Sequence, residues 1–224
     1  MRQKLTKKHY MHTLINDQIE SYCEAHTKNE SDLLYRLNRE THLKILHPRM
    51  LSGQLQGRFL SMISKMIKPV NILEIGAFTG YSALCMAEGL QPNGTLHTIE
   101  MDEELEEIIT KYFNLSIYKE KLHLHIGNAL EIIPALQKNW DLVFIDAEKK
   151  EYLKYYEMVL PCVKKGGFIL ADNVLWSGKV TESIAENDAE TKAIMQFNDF
   201  VQNDPRVENL LLPVRDGILL IEKL

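Results

Sequence analysis

Three oxygen-bearing side chains carry the first chemical signal. Asp146 follows the apolar run 142–145, and Asp172 with Asn173 follows the apolar run 168–171. A carboxylate or amide set between apolar flanks is costly to bury without partners. If the two runs are adjacent parallel strands, these side chains meet at one sheet edge. Two carboxylates and an amide oxygen meeting there repel unless a cation joins them. An all-oxygen set suits a hard divalent ion, Mg2+, Mn2+ or Ca2+. Taken singly, each aspartate also suits the cap of a following helix; the three together favour a metal. Lys149 stands three residues after Asp146. A lysine at a helix start is poorly placed for the helix dipole. Lys150 beside it fits a solvated surface. Lys149 either shares that surface or points back over the cation, where its pKa falls and it can act as a base.

Other apolar runs end in residues of similar promise. The run 71–75 leads into Gly76, Ala77, Phe78, Thr79, Gly80, Tyr81 and Ser82. Glycines four apart at a strand-to-helix turn let backbone approach a ligand closely, or simply make a tight turn. Phe78 occupies the place of the middle glycine of a dinucleotide fingerprint, which favours a smaller polar group over a pyrophosphate. Glu100 ends the next run, 24 positions after Gly76. There it can accept hydrogen bonds from ribose hydroxyls, or it is a surface acid like Asp102, Glu103 and Glu104 after it. Met101 lines an adenine or packs. Gly127 frees the next turn, and Asn128 before Ala129 fits an N-cap with an adenine edge in reach. Trp176, just beyond the Asp172–Asn173 pair, is an aromatic wall or ordinary core packing.

These positions need a scaffold of alternating strands and helices. Residues 9 to about 67 show helical spacing, with Leu14, Ile15, Ile19 and Tyr22 in one stripe. Ser31 caps a second helix carrying Leu33, Leu34 and Leu37. His47 and Pro48 interrupt the pattern, and a third helix follows near Leu55, Phe59, Leu60, Ile63 and Ile67. Strands are expected at 71–75, 95–99, 122–126, 142–145 and 168–171. Helices are expected at about 79–88, 102–114, 129–137, 149–163 and 189–203. Two strands, 207–212 and 217–221, close the chain around a turn at Asp216 and Gly217. The implied fold is α/β: a doubly wound, mostly parallel seven-stranded sheet with an antiparallel C-terminal hairpin and N-terminal helices. It would be one domain over 1–224, with a helical extension at 1–67 and a cofactor-binding core at 68–224. Ligands of such sheets bind beyond the carboxyl ends of the strands, where the residues above stand.

Composition narrows the partners. The chain has 224 residues, 45% of them apolar, and a formal net charge of -5. That balance argues against a general nucleic-acid binder. Cys23, Cys85 and Cys162 follow no zinc or redox spacing, so reduced, cytoplasmic thiols are expected. The basic start lacks the apolar core of a signal peptide, and no run has the length of a membrane span.

The stretches LEIGAFTGYSAL, HTIEMD, LVFIDAEKKEY and ILADNVLWSG together resemble the cation-dependent O-methyltransferases that use S-adenosylmethionine, the catechol and caffeoyl-coenzyme A type. The resemblance covers roughly residues 45–224, including SGQLQG at 52–57. It implies a Rossmann-like methyltransferase fold, a homodimer and a small aromatic diphenol as substrate. It also implies roles. Glu74, Gly76, Phe78 and Ser82 would hold the methionine part of the cofactor. Glu100 would bind the ribose diol, Met101 would lie against the adenine, and Asn128 and Ala129 would meet its edge. Asp146 would serve both the cofactor site and the metal, usually magnesium, with Asp172 and Asn173. Lys149 would be the catalytic base.

The leading expectation is methylation of one hydroxyl of a vicinal diphenol such as protocatechuate or caffeate. The alternative is O-methylation of a hydroxylated uridine in transfer RNA, for which nine Lys and Arg in residues 1–50 would supply a patch. A non-catalytic cofactor-binding module would need the metal set to be vestigial. A nicotinamide oxidoreductase is disfavoured by Phe78.

Overall fold

Helix ends in this chain are set by local chemistry. In the computed structural model, which describes residues 16–224, Asn16 caps α1 (Asp17–Ala25) and Ser31 caps α2 (Asp32–Lys44). The Ser31 hydroxyl accepts from Leu34 N at 3.4 Å, a bond that satisfies one of the free N–H groups of a first turn. His47 turns left-handed (φ 55°) before Pro48 and ends the segment. Then α3 (Gly53–Ile67) runs onto the sheet. The helical stripe expected over 9–67 is thus three helices with breaks; Leu14 and Ile15 lie outside the described residues. Leu34 and Leu37 are buried as expected, whereas Ile19 and Tyr22 are exposed. A three-turn helix at the edge of the molecule has only a small face to bury.

The alternating part gives β1 (Asn71–Ile75), α4 (Tyr81–Ala87), β2 (Thr95–Glu100), α5 (Glu106–Leu115), β3 (Leu122–Ile126), α6 (Ala129–Leu136), β4 (Trp140–Ile145) and α7 (Tyr152–Val159). Then come β5 (Val163–Asp172), α8 (Ala189–Gln202), β6 (Val207–Leu212) and β7 (Ile218–Lys223). The sheet order is β3-β2-β1-β4-β5-β7-β6. The first five strands are parallel, and β7 runs antiparallel between β5 and β6. Strand order reverses between β1 and β4, so the ligand crevice of a doubly wound sheet opens there.

Alternation builds two cores. Ile72, Leu142 and Phe144 face α3, α4 and α5 on one side. Leu73, Ile75, Val143 and Ile145 face α6, α7 and α8 on the other. Trp140, Tyr152, Tyr156 and Phe197 are all but fully buried in that second layer, each contributing roughly 1.5–3 kcal/mol by leaving water. On the first side α3 packs close to α4 because Gly57 has no side chain; a Cβ there would lie 2.6 Å from a Tyr81 ring carbon.

Three larger departures from expectation stand out. β5 begins at Val163 rather than 168 and shifts register opposite residues 140–142; the glycine pair 166–167 sits inside this irregular strand, not ahead of it. The expected helix over 149–163 is a short 3-10 turn, then α7, then another 3-10 turn. The closing connection is the five-residue segment 213–217, longer than a two-residue hairpin turn.

Candidate active site

The carboxyl ends of β1, β2, β4 and β5 gather the predicted residues. β1 and β4 are so close that Gly76 (φ 95°) cannot carry a side chain: a Cβ would lie 2.0 Å from the Asp146 carbonyl oxygen. The backbone is locked there by Gly76 N to Ile99 O at 2.9 Å and Asp146 N to Ile75 O at 2.9 Å. Glu74, one pleat earlier, is fully buried. Its Oε2 accepts from the Thr98 hydroxyl at 2.5 Å, while Oε1 is buried with no hydrogen-bond partner. Burial pushes its carboxyl up to about 8, against the pull of the Ser82 and Thr98 hydroxyls. A buried acceptor without a donor costs about 1–3 kcal/mol, so this oxygen fits a site built for a ligand donor. Ser82 itself is buried in the first turn of α4.

Phe78 stands in the left-handed region (φ 50°) and donates its N–H to Glu100 Oε2 at 2.7 Å. Glu100 Oε1 accepts from Asp102 N at 3.0 Å. Oε2 thus ties the turn after β1 to the end of β2, Oε1 braces its own turn, and both keep lone pairs to spare. Met101 is exposed. Asn128 caps α6, its Oδ1 accepting from Leu130 N at 3.0 Å, and Ala129 is buried behind it. Met50, Ser52, Gly76, Phe78, Tyr81, Ser82 and Asp146 line a narrow cavity at this edge. A broader cleft of about 780 Å³ lies elsewhere, between α8 and the start of β6. It holds none of the strand-end residues.

Asp146 and Asp172 extend the β4–β5 register in which Ile145 pairs with Ala171. Asp172 is buried, and burial together with the nearby Asp146 charge raises its carboxyl well above the usual range. Its Oδ1 accepts from Asn173 N at 2.8 Å and its Oδ2 from Gln56 Nε2 at 2.6 Å. Asn173 is left-handed (φ 59°), as are Trp176, Ser177 and Gly178 after it. Such backbone costs about 1–3 kcal/mol for each non-glycine residue and clusters at functional loops. Among the described residues no three His, Cys, Asp or Glu side chains gather to hold a metal; this set is two carboxylates and one amide. Its all-oxygen chemistry and the mutual repulsion of Asp146 and Asp172 fit a hard divalent cation.

Lys149 supplies the present countercharge. Its Nζ lies 3.0 Å from Asp146 Oδ1 and donates to the Tyr152 hydroxyl at 2.7 Å. Burial alone would lower its pKa, but Tyr152, Asp146 and Asp172 outweigh burial and hold it well above the ordinary lysine value. The ammonium is 5.9 Å from the centre of the Trp176 ring. Trp176 packs partly against the second core, its Nε1 buried without a partner. Lys150 is exposed, as expected.

Comparison with known proteins decides the family. The O-methyltransferase family profile matches residues 24–224. The chain belongs to this family. It is 36% identical over 182 residues to caffeoyl-CoA O-methyltransferase 1 of Eucalyptus globulus, covering 75% of this chain and 73% of that one. It is 35% identical over 183 residues to caffeoyl-CoA O-methyltransferase 2 of Petunia hybrida, covering 75% and 74%. Among solved structures, an S-adenosylhomocysteine-bound methyltransferase of Podospora anserina superposes with TM-score 0.84 at 28% identity, covering 93% of this chain and 94% of that one. The O-methyltransferase of Bacillus cereus, also with S-adenosylhomocysteine, gives 0.84 at 26% identity over 92% and 97%. The S-adenosylmethionine-dependent O-methyltransferase class and the doubly wound sheet expected from the sequence both hold.

Residues that the sequence did not single out complete the site of this O-methyltransferase. Thr98 meets Glu74 across paired strands. Tyr152 stands one helical turn beyond Lys149 and donates to the Asp172 carbonyl at 3.0 Å. Its spacing of three from Lys149 was a usable signal. Gln56 reaches Asp172 from α3, and Arg215 reaches Gln56 from the last turn; neither pairing left a local signal.

Proposed function

We propose that this O-methyltransferase binds S-adenosylmethionine across the ends of β1, β2 and β3. There it methylates one hydroxyl of a catechol-type small aromatic, protocatechuate- or caffeate-like, beside a divalent cation, Mg2+ or its like. Asp146, Asp172 and Asn173 would hold the cation. The observation that carries the proposal is the pairing of Asp146 and Asp172 at adjacent strand ends, with Lys149 Nζ 3.0 Å from Asp146. The caffeoyl-CoA names of the relatives support a phenolic acceptor.

When bound, S-adenosylmethionine supplies the methyl group and a divalent cation stabilises a phenolate whose phenol otherwise ionises near pH 10. Glu74 would accept the ammonium of the cofactor's methionine part at its free Oε1, with Ser82 and the backbone at Gly76 and Phe78 beside it. Glu100 would use its spare lone pairs on ribose hydroxyls. Met101, Asn128 and Ala129 would meet the adenine. Lys149 takes the proton of the reacting hydroxyl at Nζ. With Asp146 and Asp172 compensated by a cation, only Tyr152 would still raise Lys149, and burial would pull it toward the neutral amine. Tyr152 keeps Nζ aimed at the site, and Trp176 walls the aromatic ring. Alignment of the acceptor oxygen with the methyl group is the main contribution of such a site.

The chain would act as one catalytic unit, residues 68–224 forming the core and 1–67 a covering extension. A homodimer in the cytoplasm belongs to the same proposal. No described helix is long and apolar enough to cross a membrane.

The test is product analysis with S-adenosylmethionine on protocatechuate, caffeate and transfer RNA, each with and without a chelator. Metal-dependent monomethylation of a diphenol is expected. Diphenol turnover that survives complete metal removal, or methylation of transfer RNA alone, would overturn the proposal.

A further inference from the structure

Gln56 is 1% exposed, and a buried primary amide must find partners at both ends. Its Nε2 donates to Asp172 Oδ2 at 2.6 Å. Its Oε1 accepts from Arg215 Nη1 at 2.9 Å. A guanidinium has donors only, so the amide oxygen must face Arg215 and the amide N–H must face Asp172. The opposite flip would set donor against donor and oxygen against carboxylate. Arg215 therefore decides which end of Gln56 the aspartate meets.

Arg215 is itself anchored. It lies left-handed (φ 49°) in the turn between β6 and β7. Its Nη1 donates also to Leu51 O at 3.1 Å and to Ser52 O. Leu51 and Ser52 line the narrow cavity with Gly76, Phe78 and Ser82. One guanidinium thus ties the segment before α3 to the C-terminal turn and, through Gln56, to Asp172.

We propose that Arg215 and Gln56 are positioning residues for the cation site. Arg215 fixes the Gln56 amide. Gln56 holds the Asp172 carboxylate in the orientation that leaves its remaining lone pairs free beside Asp146. This rests on the divalent-cation site proposed above and adds residues to it. Partners that orient a ligating carboxylate typically carry 10–100-fold in metal affinity.

The experiment measures Mn2+ affinity of the full chain by electron paramagnetic resonance, with S-adenosylhomocysteine present, and S-adenosylhomocysteine affinity by calorimetry. Gln56→Leu should weaken Mn2+ by about 10-fold or more and leave S-adenosylhomocysteine affinity within about twofold, because Arg215 keeps its bonds to Leu51 and Ser52. Arg215→Met should weaken both ligands, and Arg215→Lys should recover part of each. If Gln56→Leu does not fold, the Arg215 pair decides alone. Folded variants that bind Mn2+ as tightly as the unaltered chain would overturn the relay while leaving the metal site intact. An unaltered chain that binds no Mn2+ would overturn the metal site and the relay with it.

Discussion

Lys149, three residues on from Asp146, places its ammonium 3.0 Å from Asp146 Oδ1. The Lys149 ammonium and the proposed cation are therefore competitors for one carboxylate. A protonated Lys149 neutralises Asp146, and a cation would take over that task.

The competition gives opposite effects for one substitution. Lys149→Met removes the proton acceptor, so turnover should fall about 10²–10⁴-fold. It also frees Asp146, so affinity for Mn2+ should hold or rise. Steady-state kinetics and Mn2+ titration of the same variant check both. A parallel loss of turnover and Mn2+ affinity would instead make Lys149 a structural partner of the metal set.

With the proposed role of Glu74, cofactor binding is linked to protons. The folded Glu74 carboxyl is pushed up to about 8, whereas the unfolded chain releases that proton near the ordinary 4.5. Between these values the folded state binds the extra proton, so Glu74 makes ligand-free stability fall as pH rises through that window. The cofactor ammonium proposed for Oε1 would favour the carboxylate and lower its pKa. S-adenosylhomocysteine binding at pH 7 should then release close to one proton and tighten as pH rises toward 8. Calorimetry in buffers of different ionisation heat reads the proton count. Glu74→Gln should abolish the release.

Gly76 is the tightest point of the scaffold. Gly76→Ala sets a Cβ 2.0 Å from the Asp146 carbonyl at a φ of 95°. Backbone must move there, since no side chain can yield. The expected loss is on the order of 3 kcal/mol or more, with S-adenosylhomocysteine binding lost as β1 and β4 separate. Chemical denaturation and ligand titration measure it; a variant as stable as the parent would refute the close approach.

Much of this was legible in sequence. The apolar runs named the strands because side chains alternate on a pleated surface. The residues just beyond those runs named the candidate site because ligands of doubly wound sheets bind there. Ser31 and Asn128 named their caps through the free N–H groups of a first turn. The edges were less legible. Ile19 and Tyr22 kept helical spacing yet stay exposed, since spacing does not say whether a partner covers the face. β5 starts five residues early because pairing with Trp140 recruits Val163 across an irregular register.

The sequence by itself determined which side chains reach the strand ends: Glu74, Glu100, Asp146, Lys149, Asp172 and Asn173. That follows from local pattern, where a strand's period and its last residue are fixed by near neighbours. Only the tertiary structure decided what those side chains meet. Gln56 reaches Asp172 across 116 positions and Arg215 reaches Gln56 across 159. Such pairings depend on how α3 and the last turn pack over the sheet. They set the charge balance too: Lys149 reads as a base beside a cation, yet Tyr152, Asp146 and Asp172 beside it hold its proton. Hydrogen bonds and charges act over a few ångströms of space, and separation along the chain carries no record of that distance.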